Sequence, residues 1–325
     1  YASNGLIIEF TGAGTVQRYK NTAYRENLTS TFINRNSYAA YAGISLVLVT
    51  SLLAKRLIDT EIRAPRLATR LVLVVEQIVT HHWHLAVSWF VVATALFMTD
   101  SRAGILVAIV GLVVFLIAMG FSRSISSRSV RIFAVSIIAV SIAVAWVSGE
   151  DLRRRLLGGT LGNDSRFAIY ELTLDAISDS PVLGMGYGTY PQVFELYRYD
   201  RYEFLHPARK AHNTYLENAL ELGIPAATLL TIAVLAIVGM CTAGTRRRRR
   251  DPEYAAAAVA VSVSLGLHSL IDFSLQIPAV AATFAFLLGL GCAQSWSTQP
   301  ARRFGARQSE QIPGTRSDQA EVPMQ

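Results

Sequence analysis

Four short polar clusters interrupt an otherwise apolar chain: Asn34-Arg35-Asn36, Ser101-Arg102, Asp164-Ser165-Arg166 and His212-Asn213. His212 is the general-base candidate, because an imidazole of ordinary pKa, about 6.5, accepts a proton at neutral pH. His206 is its nearest alternative, and a merely solvated loop histidine is the plainer reading of either. Arg102 precedes a long apolar run, which puts it at a helix start. There its guanidinium fork matches a phosphate, and unpaired N–H groups and the positive end of the helix dipole add to the attraction. An interfacial arginine that only snorkels is the competing reading. Arg166 is placed similarly: Asp164 or Ser165 caps a helix on which Phe167, Tyr170, Leu174 and Ile177 recur at helical spacing, and which ends before Pro181. That helix is expected on a membrane surface, where an exposed arginine is the alternative to a ligand-binding one. Asn213 caps a short helix over 214–222, stopped by Gly223 and Pro225, so His212 stands at a defined corner.

Other candidates carry less. The glycines at 184, 186 and 188 follow no predicted strand and fit no nucleotide fingerprint, so tight turns are expected. His81, His82 and His84 lack companion carboxylates or cysteines, and no metal site or cofactor is expected. His268 and Asp272, four apart, read as a structural pair on one helix face. Cys241 and Cys292 lie in or beside apolar runs and suggest neither a disulfide framework nor a thiolate cluster.

The elements that must position these residues are membrane helices. The chain is 52% hydrophobic, in long runs rather than spaced positions, which places it in the membrane class. A span needs about 20 mostly apolar residues, and seven stretches qualify or nearly so: 38–54, 84–99, 103–120, 131–148, 224–243, 254–272 and 277–293. A tight turn is expected between the last two, at 273–276. The alternation of a spanning β-barrel is missing. The net charge of +7 comes from arginines and lysines beside the spans, so it sets orientation and does not imply nucleic acid.

The basic loops at 122–131 and 246–250 are cytoplasmic by the positive-inside rule, and alternation fixes the rest. Residues 1–37 then form an outer-face segment, 38–148 transmembrane helices with a cytoplasmic interfacial segment, and 149–222 a large outer loop. Residues 223–293 return to transmembrane helices and 294–325 form a disordered cytoplasmic tail. Within 55–83, the apolar piece 71–79 is too short to span and reads as an interfacial helix. Arg153, Arg154 and Arg155 run against the rule, but long loops are largely exempt from it. The chain opens at Tyr1 without a basic, apolar leader, so further helices are expected upstream. All four polar clusters fall on the outer side. Transporters place binding groups near the bilayer midplane on interrupted helices, which makes a transporter or flippase the alternative rather than the leading reading.

The motifs, in order, are Thr31-Phe32-Ile33-Asn34-Arg35-Asn36-Ser37, Thr99-Asp100-Ser101-Arg102-Ala103-Gly104, Arg166 with its helix, and the segment 179–188. They continue through Ala211-His212-Asn213-Thr214-Tyr215-Leu216-Glu217, Leu222-Gly223-Ile224-Pro225 and His268-Ser269-Leu270-Ile271-Asp272-Phe273. Together they resemble the O-antigen ligase and polymerase family over about residues 30 to 293. The resemblance implies an all-α, multi-spanning protein of the bacterial inner membrane with a large helical periplasmic loop. It implies an inverting, metal-independent glycosyltransferase that moves a glycan from a polyprenyl-pyrophosphate carrier in the membrane lipid to an acceptor hydroxyl. The acceptor would be a glycan, a lipid A core or a protein. Arg102 and Arg166 would grip the donor pyrophosphate, His212 would activate the acceptor, and Asn34, Arg35, Asn36, Ser101, Asn213 and His206 would support them.

Overall fold

Small side chains decide how closely the apolar helices approach. In the computed structural model, described over residues 1–11, 15–16, 19–20, 27–60, 67–122, 163–201, 207–248 and 251–296, three helices cross at the centre. They are α2 (Arg35–Asp59), α5 (Arg102–Gly120) and α10 (Pro252–His268). The α10 helix is enclosed nearly all round, and it is small enough to be so because alanines occupy 255 to 258 and 260. Gly43 of α2 faces Ala108 of α5, and a side chain at Gly111 of α5 would strike Ser264 of α10. The Ser264 hydroxyl donates to the Val107 carbonyl, so the small-residue crossing also carries a hydrogen bond. Close backbone approach is how helices associate where lipid removes the hydrophobic drive between them.

Around this centre lie α1 (Ala2–Thr11), α3 (Leu67–His81), α4 (Trp83–Phe97), α9 (Ile224–Arg247) and α11 (Pro278–Ala293). The indole N–H of Trp89 on α4 donates to the hydroxyl of Thr50 on α2 at 2.9 Å. Among the described residues, three helices are long and apolar enough to cross a membrane, Arg35–Ile58, Arg102–Gly120 and Ile224–Arg247; α4 and α11 are apolar but shorter. At 1.5 Å per residue α5 is about 28 Å long, close to the hydrocarbon thickness. The only strands among the described residues are a two-residue antiparallel pair, Thr15–Val16 with Tyr19–Lys20. The expected tight turn at 273–276 is a 3-10 turn, Ser274–Gln276. The expected span at 131–148, the arginines at 123 to 131 and 153 to 155, His206 and the tail beyond 296 lie outside the described residues.

The chain's large loop forms a second, smaller core. Ala168, Ile169, Leu172, Ala176 and Ile177 of α6 (Asn163–Asp179) pack with Tyr190, Val193 and Phe194 of α7 (Tyr190–Arg201) and with Leu220 of α8 (Thr214–Leu222). Two details of α6 differ from the reading of its sequence. Asp164 and Ser165 lie inside its first turn rather than ahead of it, because the helix already includes Asn163. Its apolar residues also divide between two faces: Ile177 is buried in the small core, whereas Phe167 and Leu174 are exposed.

Polar contacts give the helix bundle two distinct ends. At one end, the starts of α2 and α5, the approach to α8 and the residues after α10 meet through Asn36, Ser101, His212 and Asp272. At the opposite end, Lys55 of α2 pairs with Asp251 and Glu253 before and in α10. There too Arg246 lies over the Phe121 ring, and Arg248 donates to the Gln294 and Trp296 carbonyls.

Candidate functional site

Asn36, in the first turn of α2, is the pin of the site. Asn34 caps that helix by accepting from the Asn36 N–H at 2.7 Å, which fixes the first turn. The Asn36 side chain then bridges two partners far apart in sequence. Its carbonyl accepts from the Ser101 hydroxyl at 2.9 Å, and its amide donates to the Asp272 carboxylate at 2.8 Å. Ser101 also caps α5, accepting from the Gly104 N–H at 3.2 Å, so Arg102 occupies the first helical position of α5. Arg35 is turned to a neighbouring network: it donates to Asn27 at 3.0 Å, and Asn27 donates to Asp100 at 3.0 Å.

Asp272 is the hub. It is 1% exposed and accepts from Asn36, from the Phe273 N–H at 2.8 Å and from the Ser274 hydroxyl at 3.2 Å. His212 Nδ1 stands 4.0 Å from its carboxylate, with the imidazole 32% exposed and its edge against the Phe273 ring. The α10 helix ends at His268, so Asp272 lies beyond it and not on the same helical face. Neither ring nitrogen of His268 has a hydrogen-bond partner. The two side chains therefore share no hydrogen bond, although the Asp272 N–H donates to the His268 carbonyl at 2.9 Å, and the Asp272 carboxylate faces the site.

The corner that carries His212 is held from both sides. Buried Glu217 of α8 accepts from Lys210 at 2.8 Å and from the Ala211 N–H at 2.9 Å. Asn213 caps α8, accepting from Tyr215 and Leu216 N–H, and its amide donates to the Leu270 carbonyl at 3.0 Å. Thr214 donates from its N–H to Ser269 and from its hydroxyl to the Asp272 carbonyl. The Tyr170 hydroxyl of α6 donates to the His212 carbonyl at 3.1 Å. His212 itself has a φ of 50°, a left-handed conformation that costs a non-glycine residue about 1–3 kcal/mol and persists only where its surroundings impose it.

Electrostatics favour the neutral form of His212. Burial pushes its pKa below the ordinary value; Asp272 opposes this, Arg166 adds to the depression and Glu217 opposes it. Arg166, half-buried in the first turn of α6, thus acts on the imidazole through its charge. With Nδ1 directed at Asp272, a proton on that nitrogen would leave the Nε2 lone pair free to act as a base. The buried side-chain atoms without hydrogen-bond partners concentrate here as well: Ser37 Oγ, Tyr38 Oη, His212 Nδ1, both nitrogens of His268 and Gln276 Oε1. Unpaired buried polar groups are the exception in proteins, and these lie among the residues that meet at this end.

Of the residues expected at the site, the structure joins Asn36, Ser101, Asn213 and His212 through hydrogen bonds and the Asp272 carboxylate, and Arg166 through its charge. Asn34 and Arg102 adjoin them as cap and first helical residue, and Arg35 serves the Asn27–Asp100 network. Asp272 and Glu217 are the additions. Among the described residues, no group of three His, Cys, Asp or Glu is placed to hold a metal ion.

The class defined by these observations is a multi-helix membrane protein whose polar residues converge at one end of the bundle. Residues 86–231 match the family model described as O-antigen ligase, and this places that stretch, with Ser101, Arg102, Arg166 and His212, in the O-antigen ligase and polymerase family. Asn36 and Asp272 lie on either side of the matched stretch. No curated protein is similar enough to match the chain. The family indicates glycosyl transfer of the O-antigen ligase or polymerase type, with glycan and lipid-linked substrates.

Proposed function

We propose that the protein transfers a glycan from a polyprenyl-pyrophosphate carrier to an acceptor hydroxyl, at the outer face of the bacterial inner membrane. The observation that carries this reading is the placing of His212, part-exposed, beside the buried Asp272 carboxylate at the end of the bundle where Arg102 opens α5. In the proposed step, His212 Nε2 takes the proton of the acceptor hydroxyl as its oxygen attacks the anomeric carbon. The bond from that carbon to the pyrophosphate breaks, and the pyrophosphate departs with the electron pair. A single displacement of this kind inverts the anomeric centre. Asp272 orients the imidazole and stabilises the imidazolium that forms. Arg102 and Arg166 meet the charge developing on the leaving pyrophosphate, so the step uses no metal.

The two arginines can be tested one at a time. Replacing Arg102 or Arg166 by Ala should lower transfer by purified protein about 10²-fold or more, in line with loss of one preorganised donor to a developing anion. Lys at position 102 should restore only part, because an ammonium lacks the bidentate fork. Full transfer by both alanine variants, at normal protein levels, would assign these residues to the membrane interface alone.

A further inference from the structure

The segment between α6 and α7 projects an apolar tip that the small core does not use. Val182 and Leu183 are exposed, Leu183 at 83%, and Tyr187 is exposed to the same degree. Such exposure on a floppy loop would mean little, but this loop is clamped. The Ile224 N–H donates to the Pro181 carbonyl at 2.8 Å, Met185 N–H to Leu220 at 2.8 Å and Gly186 N–H to Glu221 at 3.0 Å. Gly184 and Gly223, at φ of 71° and 79°, lie against each other's strands of chain so closely that a side chain on either would collide with backbone. The clamp therefore fixes Val182 and Leu183 level with Ile224, the first residue of α9.

That level is defined physically. The α9 helix is 24 residues long, apolar enough to cross a membrane, and mostly exposed along its length, with Ile224, Leu229 and Leu230 all uncovered in its first two turns. A helix of this kind is covered by lipid from its first turn onward. We infer that the 181–187 tip is a membrane-dipping prong, with Val182 and Leu183 in the acyl region of the adjoining leaflet and Tyr187 at headgroup level. The tyrosine has the apolar ring and polar tip typical of that depth. The occupant is a phospholipid surface. The prong ties the α6–α8 core to the bilayer and so sets the height of His212 above it, which matters for a donor whose carrier lies in the membrane.

The inference rests on α9 being a membrane span and not on the glycan-transfer reading. Its test is photocrosslinking: p-benzoylphenylalanine is introduced at position 183, and separately at 182, of the full chain in phospholipid nanodiscs. Gln192, exposed on α7, provides the comparison position. Irradiation should give phospholipid adducts at 183 and 182 several-fold above those at 192. Adducts to a second copy or another protein at those positions, or lipid adducts no higher than at 192, would overturn the proposal. No transfer activity is measured, so this result and the fate of the glycan reading are decided separately.

Discussion

Protonation of one imidazole links the geometry to a measurable pH profile. A base must be neutral to act, so transfer should be retained at pH values above the His212 pKa and lost as pH falls through it. Burial moves that pKa below its ordinary value, which places the acid limb of the profile lower than an exposed histidine would give. Asp272 works in the opposite direction, holding the pKa up. Asp272→Asn should therefore shift the acid limb further toward low pH while lowering turnover by about 10²-fold, the order of a general-base contribution lost through misorientation. A merely structural Asp272 would cost turnover or yield without moving the limb. Initial rates across pH, for native protein and variant at equal donor saturation, separate the two. An unchanged acid limb in Asp272→Asn would disconnect the carboxylate from the base.

At the scale of elements, the site is a meeting of helix ends, and its sidedness follows from which ends meet. The His212 end and the Lys55–Asp251 end are opposite faces of one bundle, and the arginine run at 246 to 248 belongs to the latter. Basic loops are retained in the cytoplasm, so a reporter fused near Tyr197 should be active outside and one near Arg248 inside. A cytoplasmic Tyr197 would put the site on the wrong side of the membrane for the proposed donor. Most of the helices were legible because long apolar runs have few ways to fold, and the cap at Asn213 follows from local hydrogen bonding. Asp272 was not legible. Its spacing from His268 suggests a shared helical face, but the helix stops at His268, and the partner that fixes Asp272 is Asn36, 236 residues away. Glu217 was hidden for a similar reason: in sequence it is one acidic residue on a short helix, and only folding buries it beneath Ala211 and Lys210. The two apolar faces of α6 escaped because a single periodicity was assigned to a helix that packs on one side and remains uncovered on the other.

In the whole molecule, a bundle whose helices pack through small residues is joined to a small helical core that delivers one histidine to the end of that bundle. The division of labour is specific: α6 and α8 position His212, α2 and the residues after α10 supply Asn36 and Asp272, and α5 opens with Arg102. The central claim is that this convergence removes a proton from an acceptor during glycan transfer. The direct measurement is transfer by purified full-length protein in detergent, from a polyprenyl-pyrophosphate glycan to an added acceptor, with donor binding followed separately for native protein, His212→Ala and His206→Ala. Transfer should proceed without any membrane gradient, fall about 10²–10⁴-fold in His212→Ala with donor binding preserved, and stay near-native in His206→Ala. Undiminished transfer by His212→Ala, or its retention there while His206→Ala abolishes it, would contradict the account.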